Sequence, residues 1–197
     1  MTALETWNEA QTWEKNWWLN ARAQHSSEIL KTAYVARLLF IDRGLPDKNV
    51  IDIGCGPLSL LLRVPVRSGV ALDPINFEDL EGAYVHKGIK RLLKTGEALT
   101  EEDGHFDEAW IYNCLQHVQE PTQILTNAMA VADTVRLFEW THIPPYQGHL
   151  HELTAELLFK PFHAANWHVA MEATGFLDYG ILGAGRYAAG IYQRVKS

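Results

Sequence analysis

The stretch from Asn49 to Leu62, NVIDIGCGPLSLLL, decides the fold. Val50, Ile51 and Ile53 have the composition of a buried strand. The chain then turns on Gly54, Cys55, Gly56 and Pro57, and the apolar run Leu58 to Leu62 reads as the start of a helix. A strand that breaks into a glycine-rich turn and feeds a helix leaves backbone N–H groups unpaired at the strand's carboxyl end. Open α/β sheets bind ligands there.

Working outward, residues 69–74 (GVALDP) read as a second short strand that ends in Asp73. A carboxylate at that point is placed to accept both hydroxyls of a ribose; the local alternative is a turn aspartate before proline. Asn76 to Leu80 reads as a helical turn, Ala83 to His86 as a weak strand and Lys87 to Leu93 as a helix, followed by a loop carrying Glu97 and Ala98. Phe106 to Asn113 is a strand whose end carries Cys114, Leu115, Gln116 and His117. Pro121 to Ala132 is a helix with proline at its start, and Val135 to Trp140 the next strand. Strands alternating with helices call for a parallel sheet covered on both faces.

Thr141 to Lys160 departs from this rhythm, with Pro144, Pro145, Tyr146, His149 and His151, then a helix near Thr154 to Phe159. Asn166 to Gly175 reads as a helix closed by Gly175. Phe176 to Tyr179 and Tyr187 to Arg194 read as strands of a closing hairpin across the glycine-rich residues 180–185.

Residues 4–41 read as helical, with Trp7, Ala10, Trp13, Trp17 and Ala21 on one face. A break falls near His25-Ser26-Ser27, where Ser26 or Ser27 can cap a second helix. That helix runs from Glu28 to about Arg43, presents Ile29, Ala33, Ala36, Leu39 and Phe40 inward, and ends at Gly44. Residues 1–46 thus form a helical cap on a domain spanning 47–197. Four of the seven tryptophans lie within residues 7–18, either as aromatic staples to the core or as a lid over a ligand.

The 197 residues are 47% hydrophobic and 21% charged, a globular balance, with a formal net charge of −7 that disfavours nucleic acid as a partner. Lys87, Lys90, Arg91 and Lys94 read as a solvated helix face. Cys55 and Cys114 have no metal spacing and make no disulfide framework, which fits a reducing, cytoplasmic setting. No apolar run is long enough to span a membrane.

Taken in order, the strand–DIGCG turn, the strand–Asp73, the Gly-Glu-Ala loop, the FDEAW strand with NCLQHV after it, and the final hairpin resemble a class I S-adenosylmethionine-dependent methyltransferase of the small-molecule, ubiquinone/menaquinone-biosynthesis type. The resemblance covers about Asn49 to Val195. It implies a Rossmann-like, doubly wound, mostly parallel seven-stranded sheet with a C-terminal antiparallel hairpin. It also implies that S-adenosylmethionine is the cofactor. Asp52, Gly54, Cys55 and Gly56 match the residues around its methionine moiety, Asp73 the ribose carboxylate, and Glu97 and Ala98 the loop beside adenine. Asn113, Cys114 and Leu115 match the strand end under the sulfonium, and His117 a position often histidine. Leu58 stands where the family has a third glycine. The G-x-G-x-x-G of dinucleotide enzymes is not met, because the turn reads G-C-G-P-L-S.

The implied partner is a small-molecule methyl acceptor, the implied state a monomer or homodimer; a non-catalytic binder of the same cofactor is the alternative. Methyl transfer needs a base only if the acceptor must lose a proton. Candidates are His117, His149 and His151, then His142, with Glu139 as a possible partner. The spacing of His149 and His151 also allows a chelate completed by Glu152 or His142, although no metal is required by the reading.

Overall fold

The computed structural model describes residues 3–20, 25–77, 81–178 and 184–195. Among these, the strands in chain order are β1 (Leu45–Ile53), β2 (Val66–Leu72), β3 (Ile89–Leu92), β4 (Phe106–Tyr112), β5 (Ala132–Thr141), β6 (His168–Asp178) and β7 (Ala184–Gln193). They form one seven-stranded sheet in the order β3-β2-β1-β4-β5-β7-β6. β1 to β5 pair parallel, and β7 inserts antiparallel between β5 and β6. This is the expected Rossmann-like sheet with a C-terminal antiparallel hairpin. The chain winds one way from β1 to β3 and the other way from β4, so the switch point lies at the carboxyl ends of β1 and β4.

The helices are α1 (Ala3–Asn20), α2 (His25–Leu38), α3 (Glu81–His86), α4 (Pro121–Val131) and α5 (Ala155–Ala164). Successive strand residues point to opposite faces. Ile51 and Ile53 join Ile124, Leu125 and Ala128 of α4 and Leu158 and Phe162 of α5 in one core layer. Val50, Ala71 and Trp110 join Val35, Ala36 and Leu39 from the α2 segment and Tyr84 of α3 in the other. A buried ion pair ties the second layer to the sheet. Arg136 donates to both oxygens of Glu108, at 2.6 and 2.9 Å, and to the carbonyl of Leu39 at 2.7 Å, while the indole N–H of Trp110 also donates to Glu108.

Several sequence expectations are corrected. Leu58 to Leu62 does not start an α-helix; residues Gly56–Leu58 and Leu60–Leu62 form two 3-10 turns. Between them Ser59 is extended, its hydroxyl donating to Asp52 and accepting from the N–H of Leu61. That side chain takes over what a helical turn would have supplied, and Pro65 then leads directly into β2. Ala83 to His86 belongs to α3, which buries Tyr84 and exposes Val85. Lys87 to Leu93 contains β3, because pairing of residues 89–92 with β2 outweighs local helix preference. The basic run is therefore no single helix face: Arg91 donates to the carbonyls of Ile75 and Phe77, and Lys94 pairs with Asp103.

Asn166 to Gly175 is mostly strand β6, where Met171, Ala173, Gly175 and Leu177 are half-buried and their neighbours exposed, a period of two. Gly175 is a strand residue packed by the Tyr187 ring. α2 ends at Leu38, with Val35, Ala36 and Leu39 buried but Ala33 and Phe40 exposed. The side chains of Ser26, Ser27 and Ile29, the position of Ala21, residues 78–80 of the turn expected at Asn76 to Leu80, Tyr179 and most of the 180–185 loop lie outside the described residues.

Candidate active site

The glycine turn packs against the ends of β2 and β4. The N–H groups of Gly54 and Cys55 donate to the carbonyl of Leu72, at 2.8 and 3.1 Å, and that of Gly56 to Asp73 Oδ2 at 2.8 Å. These three N–H groups, expected to be unpaired, are spent inside the protein. Beneath them Asp52 is buried, and its Oδ2 accepts from the Ser59 hydroxyl at 2.6 Å and the Leu60 N–H at 3.1 Å. Tyr84 supports the turn from α3 by donating to the carbonyl of Gly56.

The two glycines do different work. Gly54 has φ +69°, and a Cβ there would stand 2.5 Å from Cys114 Cβ and 2.6 Å from its Sγ. Gly56 has φ +53°, yet its Cβ position meets nothing within 4 Å. It opens on the space a ligand would fill.

Asp73 and Glu97 bring two of the carboxylates that face this space. Asp73 accepts from Gly56 and, through Oδ1, from the N–H of Ile75 at 2.8 Å; burial raises its pKa to about 6. Glu97, in the 3-10 turn Gly96–Ala98, accepts through Oε1 from the N–H groups of Gln119 and Glu120 at the entry to α4. Asn127 of α4 fixes the same turn by donating to the carbonyls of Gly96 and Glu97. On the β4 side, Asn113 has φ +50°, and its Oδ1 accepts from Gln116. The N–H groups of Cys114 and Leu115 both donate to Glu139 Oε1, at 2.9 and 3.0 Å. Glu139 is completely buried and Oε2 has no partner among the described residues; burial pushes its pKa up to about 8. Glu139 therefore anchors this loop and is not the partner of a histidine base.

The histidines separate. His117 lies in the cleft wall, Nδ1 3.0 Å from the Gly148 carbonyl and 3.5 Å from Glu14 Oε2; burial lowers its pKa to about 4. His149 packs edge-on against His117 at 4.6 Å between ring centroids, and its buried Nδ1 lacks a hydrogen-bond partner among the described residues. Burial also takes its pKa down to about 4. His151 Nε2 sits 2.8 and 3.1 Å from the carbonyls of Val118 and Gln119, so this nitrogen carries the proton and clasps the loop. His142 is exposed, 3.8 Å from Glu152. The chelate considered for these residues does not form: among the described residues no group of three His, Cys, Asp or Glu is placed to hold a metal ion.

α1 closes the cleft from above. Gln11 donates to the carbonyl of His117 at 3.0 Å, Trp18 donates to Glu14 Oε1 at 2.9 Å, and Trp13 lies on Gly148. The cleft encloses about 930 Å³, part of it open to solvent. Of the residues expected from the sequence, Gly54, Cys55, Gly56, Asp73, Glu97, Asn113, Cys114 and His117 line it. Asp52, Ala98, Leu115, His149 and His151 are not part of the lining of the cleft. Sequence reasoning missed Gln11, Glu14, Thr95 and Tyr112, which also line it. Of the tryptophan cluster, Trp7 and Trp18 line the cleft; nothing local in sequence marks Glu14.

No protein-family model matches the chain. It is 26% identical over 121 residues to norajmaline N-methyltransferase of Rauvolfia serpentina, an alignment that takes in 57% of this chain and 40% of that enzyme's length. Solved structures match over nearly all of it. The Burkholderia thailandensis 1,6-didemethyltoxoflavin-N1-methyltransferase, with 1,6-didemethyltoxoflavin and S-adenosylhomocysteine bound, has a TM-score of 0.62 at 16% identity, over 93% of this chain and 83% of that one. A Thermotoga maritima methyltransferase described as a possible histamine N-methyltransferase has a TM-score of 0.66 at 13% identity, over 95% and 99%. The Synechocystis magnesium protoporphyrin IX methyltransferase with bound S-adenosylmethionine has 0.58 at 18%, over 84% and 80%. Strand order, closing hairpin and these neighbours agree: this chain has the class I S-adenosylmethionine-dependent methyltransferase fold.

Proposed function

We propose that this chain is an S-adenosylmethionine-dependent methyltransferase acting on a small molecule. The observation that carries the reading is the cleft at the β1, β2 and β4 ends, where Gly56 opens onto ligand space beside the Asp73 carboxylate. The lining suits this cofactor: among the described residues it includes Glu14, Asp73 and Glu97 but no lysine or arginine. That set would repel a pyrophosphate and attract a sulfonium and an ammonium group.

Asp73 would hold the ribose hydroxyls, and Glu97 with Ala98 the adenine edge. Gly54, Cys55 and Gly56 would hold the methionine end, on a turn that Asp52 braces from below. Asn113, Cys114 and Leu115 would form the floor under the sulfonium. The cofactor supplies an already activated methyl group. The chain's own residues align the acceptor and exclude water, with α1 as the lid. His117, neutral at physiological pH, orients the acceptor through the cleft wall. His149 and His151 support the wall.

His149→Ala and His151→Ala are therefore expected to leave the pH profile of methyl transfer unchanged between about pH 6 and pH 9, and His117→Ala to raise KM without adding a pH step. Initial rates across that range check this. Loss of an acidic limb in one variant alone would instead identify that histidine as the base.

The acidic balance and a described cleft lining without lysine or arginine favour a small-molecule acceptor over nucleic acid. Cys55 and Cys114 are free thiols, which fits a cytoplasmic setting. No described helix is long and apolar enough to cross a membrane. The cleft is built from one chain, so monomer and homodimer both serve. The test is to incubate the protein with methyl-labelled S-adenosylmethionine and a small-molecule extract. Label in a small molecule with release of S-adenosylhomocysteine is expected. Label in RNA or protein would overturn the acceptor class, and binding without any transfer would leave a non-catalytic binder.

A further inference from the structure

We infer that the acceptor is an amine carried on a flat aromatic scaffold, its nitrogen held by Glu14 and its ring by Trp7, Trp18 and Tyr112. The inference rests on the methyltransferase reading and deepens it. With Asp73 and Glu97 assigned to the adenosine half, Glu14 is the remaining carboxylate among the described residues of the cleft lining. It is held in place rather than swinging free: Oε1 accepts from Trp18 at 2.9 Å and Oε2 is 3.5 Å from His117 Nδ1. Its side chain is 17% exposed, so water screens it weakly. Its charge is felt across the cleft, where it adds to the rise in the Asp73 pKa.

Three classes of acceptor can be weighed against this lining. A carboxylate or phosphate would enter a cleft lined by three carboxylates and, among the described residues, by no lysine or arginine. Like charges at close range oppose that by several-fold or more in affinity. A phenol must lose its proton to become a good nucleophile, and the resulting anion would face Glu14. The histidine of the wall, His117, is a weak base with a pKa of about 4 and does not assist. An amine enters as an ammonium ion that Glu14 attracts, and the fraction that passes one proton through the Glu14 carboxylate to water becomes a neutral nucleophile, not an anion facing a carboxylate.

The charge flow also favours it. The nitrogen lone pair forms the N–C bond while the C–S bond breaks and its electron pair returns to sulfur, so positive charge moves from sulfur to nitrogen. The proton of the N-methylammonium product then passes to the Glu14 carboxylate and on to water. A fixed carboxylate beside the nitrogen binds that developing charge more strongly than the neutral ground state. Aromatic walls supply stacking area and a cation-π partner for the same charge.

The test uses three probes with one ring and different heads: tryptamine, tryptophol and indole-3-propanoate. Binding is followed by isothermal titration calorimetry with S-adenosylhomocysteine present, and turnover by its release from S-adenosylmethionine. Tryptamine is expected to bind at least about tenfold more tightly than tryptophol, and indole-3-propanoate most weakly. Glu14→Gln keeps the Trp18 hydrogen bond and is expected to weaken tryptamine binding about 30-fold while leaving S-adenosylhomocysteine affinity within about twofold. Glu14→Lys is expected to reverse the order and favour indole-3-propanoate. Preference for the acid or the alcohol in the unaltered protein, no binding of tryptamine up to about 10 mM, or an unchanged order in both variants would overturn the inference. Failure of S-adenosylhomocysteine itself to bind would overturn the underlying reading instead.

Discussion

Gly54→Ala is expected to abolish S-adenosylhomocysteine binding and to lower stability by about 3 kcal/mol or more. The added methyl would stand 2.5 Å from Cys114 Cβ, on a backbone with φ +69°. Relief requires β1 and β4 to part at their carboxyl ends, where Cys114 and Leu115 are held by Glu139. The strain therefore spreads into the cleft floor. Gly56→Ala is the internal control. Its φ of +53° costs about 1 kcal/mol, but its methyl meets no protein atom. That variant is expected to fold nearly as well as the unaltered chain and to lose affinity because the methyl occupies ligand space. Thermal unfolding and calorimetry on the two variants separate the effects; equal stability losses would contradict the distinction.

Glu139 is expected to control both the pH dependence of stability and the cleft floor. Its pKa in the fold, about 8, lies above its ordinary value of 4.5 because it is completely buried. The native state thus keeps a proton that the unfolded chain releases. Its contribution is fully present below pH 4.5 and is lost as pH rises through about 8. Asp52 and Asp73, raised to about 7 and about 6, act in the same direction. Without ligand, stability should therefore decline from about pH 5 to pH 9, by on the order of several kcal/mol.

Glu139→Gln keeps an oxygen for the two N–H groups and removes the titration. Its stability should fall less steeply with pH and overtake the unaltered chain near about pH 9. Glu139→Leu leaves the N–H groups of Cys114 and Leu115 buried without an acceptor, a cost of about 2 to 6 kcal/mol at every pH. Denaturant titrations at spaced pH values decide it: parallel curves for Glu139→Gln and the unaltered chain would show that Glu139 does not hold the proton.

The mostly parallel sheet and several residues of the cleft at its carboxyl end, Gly54, Gly56 and Asp73 among them, were legible because their signals are local. A strand that ends in D-I-G-C-G and a strand that ends in Asp73 state their requirements within a few residues. The β6 segment was not legible as a strand. Its alternation is weak, and it is a strand because β7 pairs with it along its length. The α3 and β3 segments were exchanged for the same reason, since the β2 edge decides which of two short apolar runs becomes extended. Leu58 to Leu62 resembled a helix start, but Ser59 commits its hydroxyl to Asp52 and breaks the run. Glu14 and Gln11 carried no sequence signal because their place over the cleft depends on how α1 docks on the Leu115–His117 turn.

The central claim is that the cleft between the β1, β2 and β4 ends is an S-adenosylmethionine site organised by Asp73. Calorimetric titration of S-adenosylhomocysteine into the unaltered chain and Asp73→Asn tests it most directly. The amide oxygen of the substituted side chain would still accept from the Gly56 N–H, but it brings no charge to the ribose hydroxyls. One-to-one binding in the micromolar range, weakened at least about tenfold in Asp73→Asn, is the expected result. No saturable binding up to about 1 mM, or equal affinity in the two proteins, would contradict it.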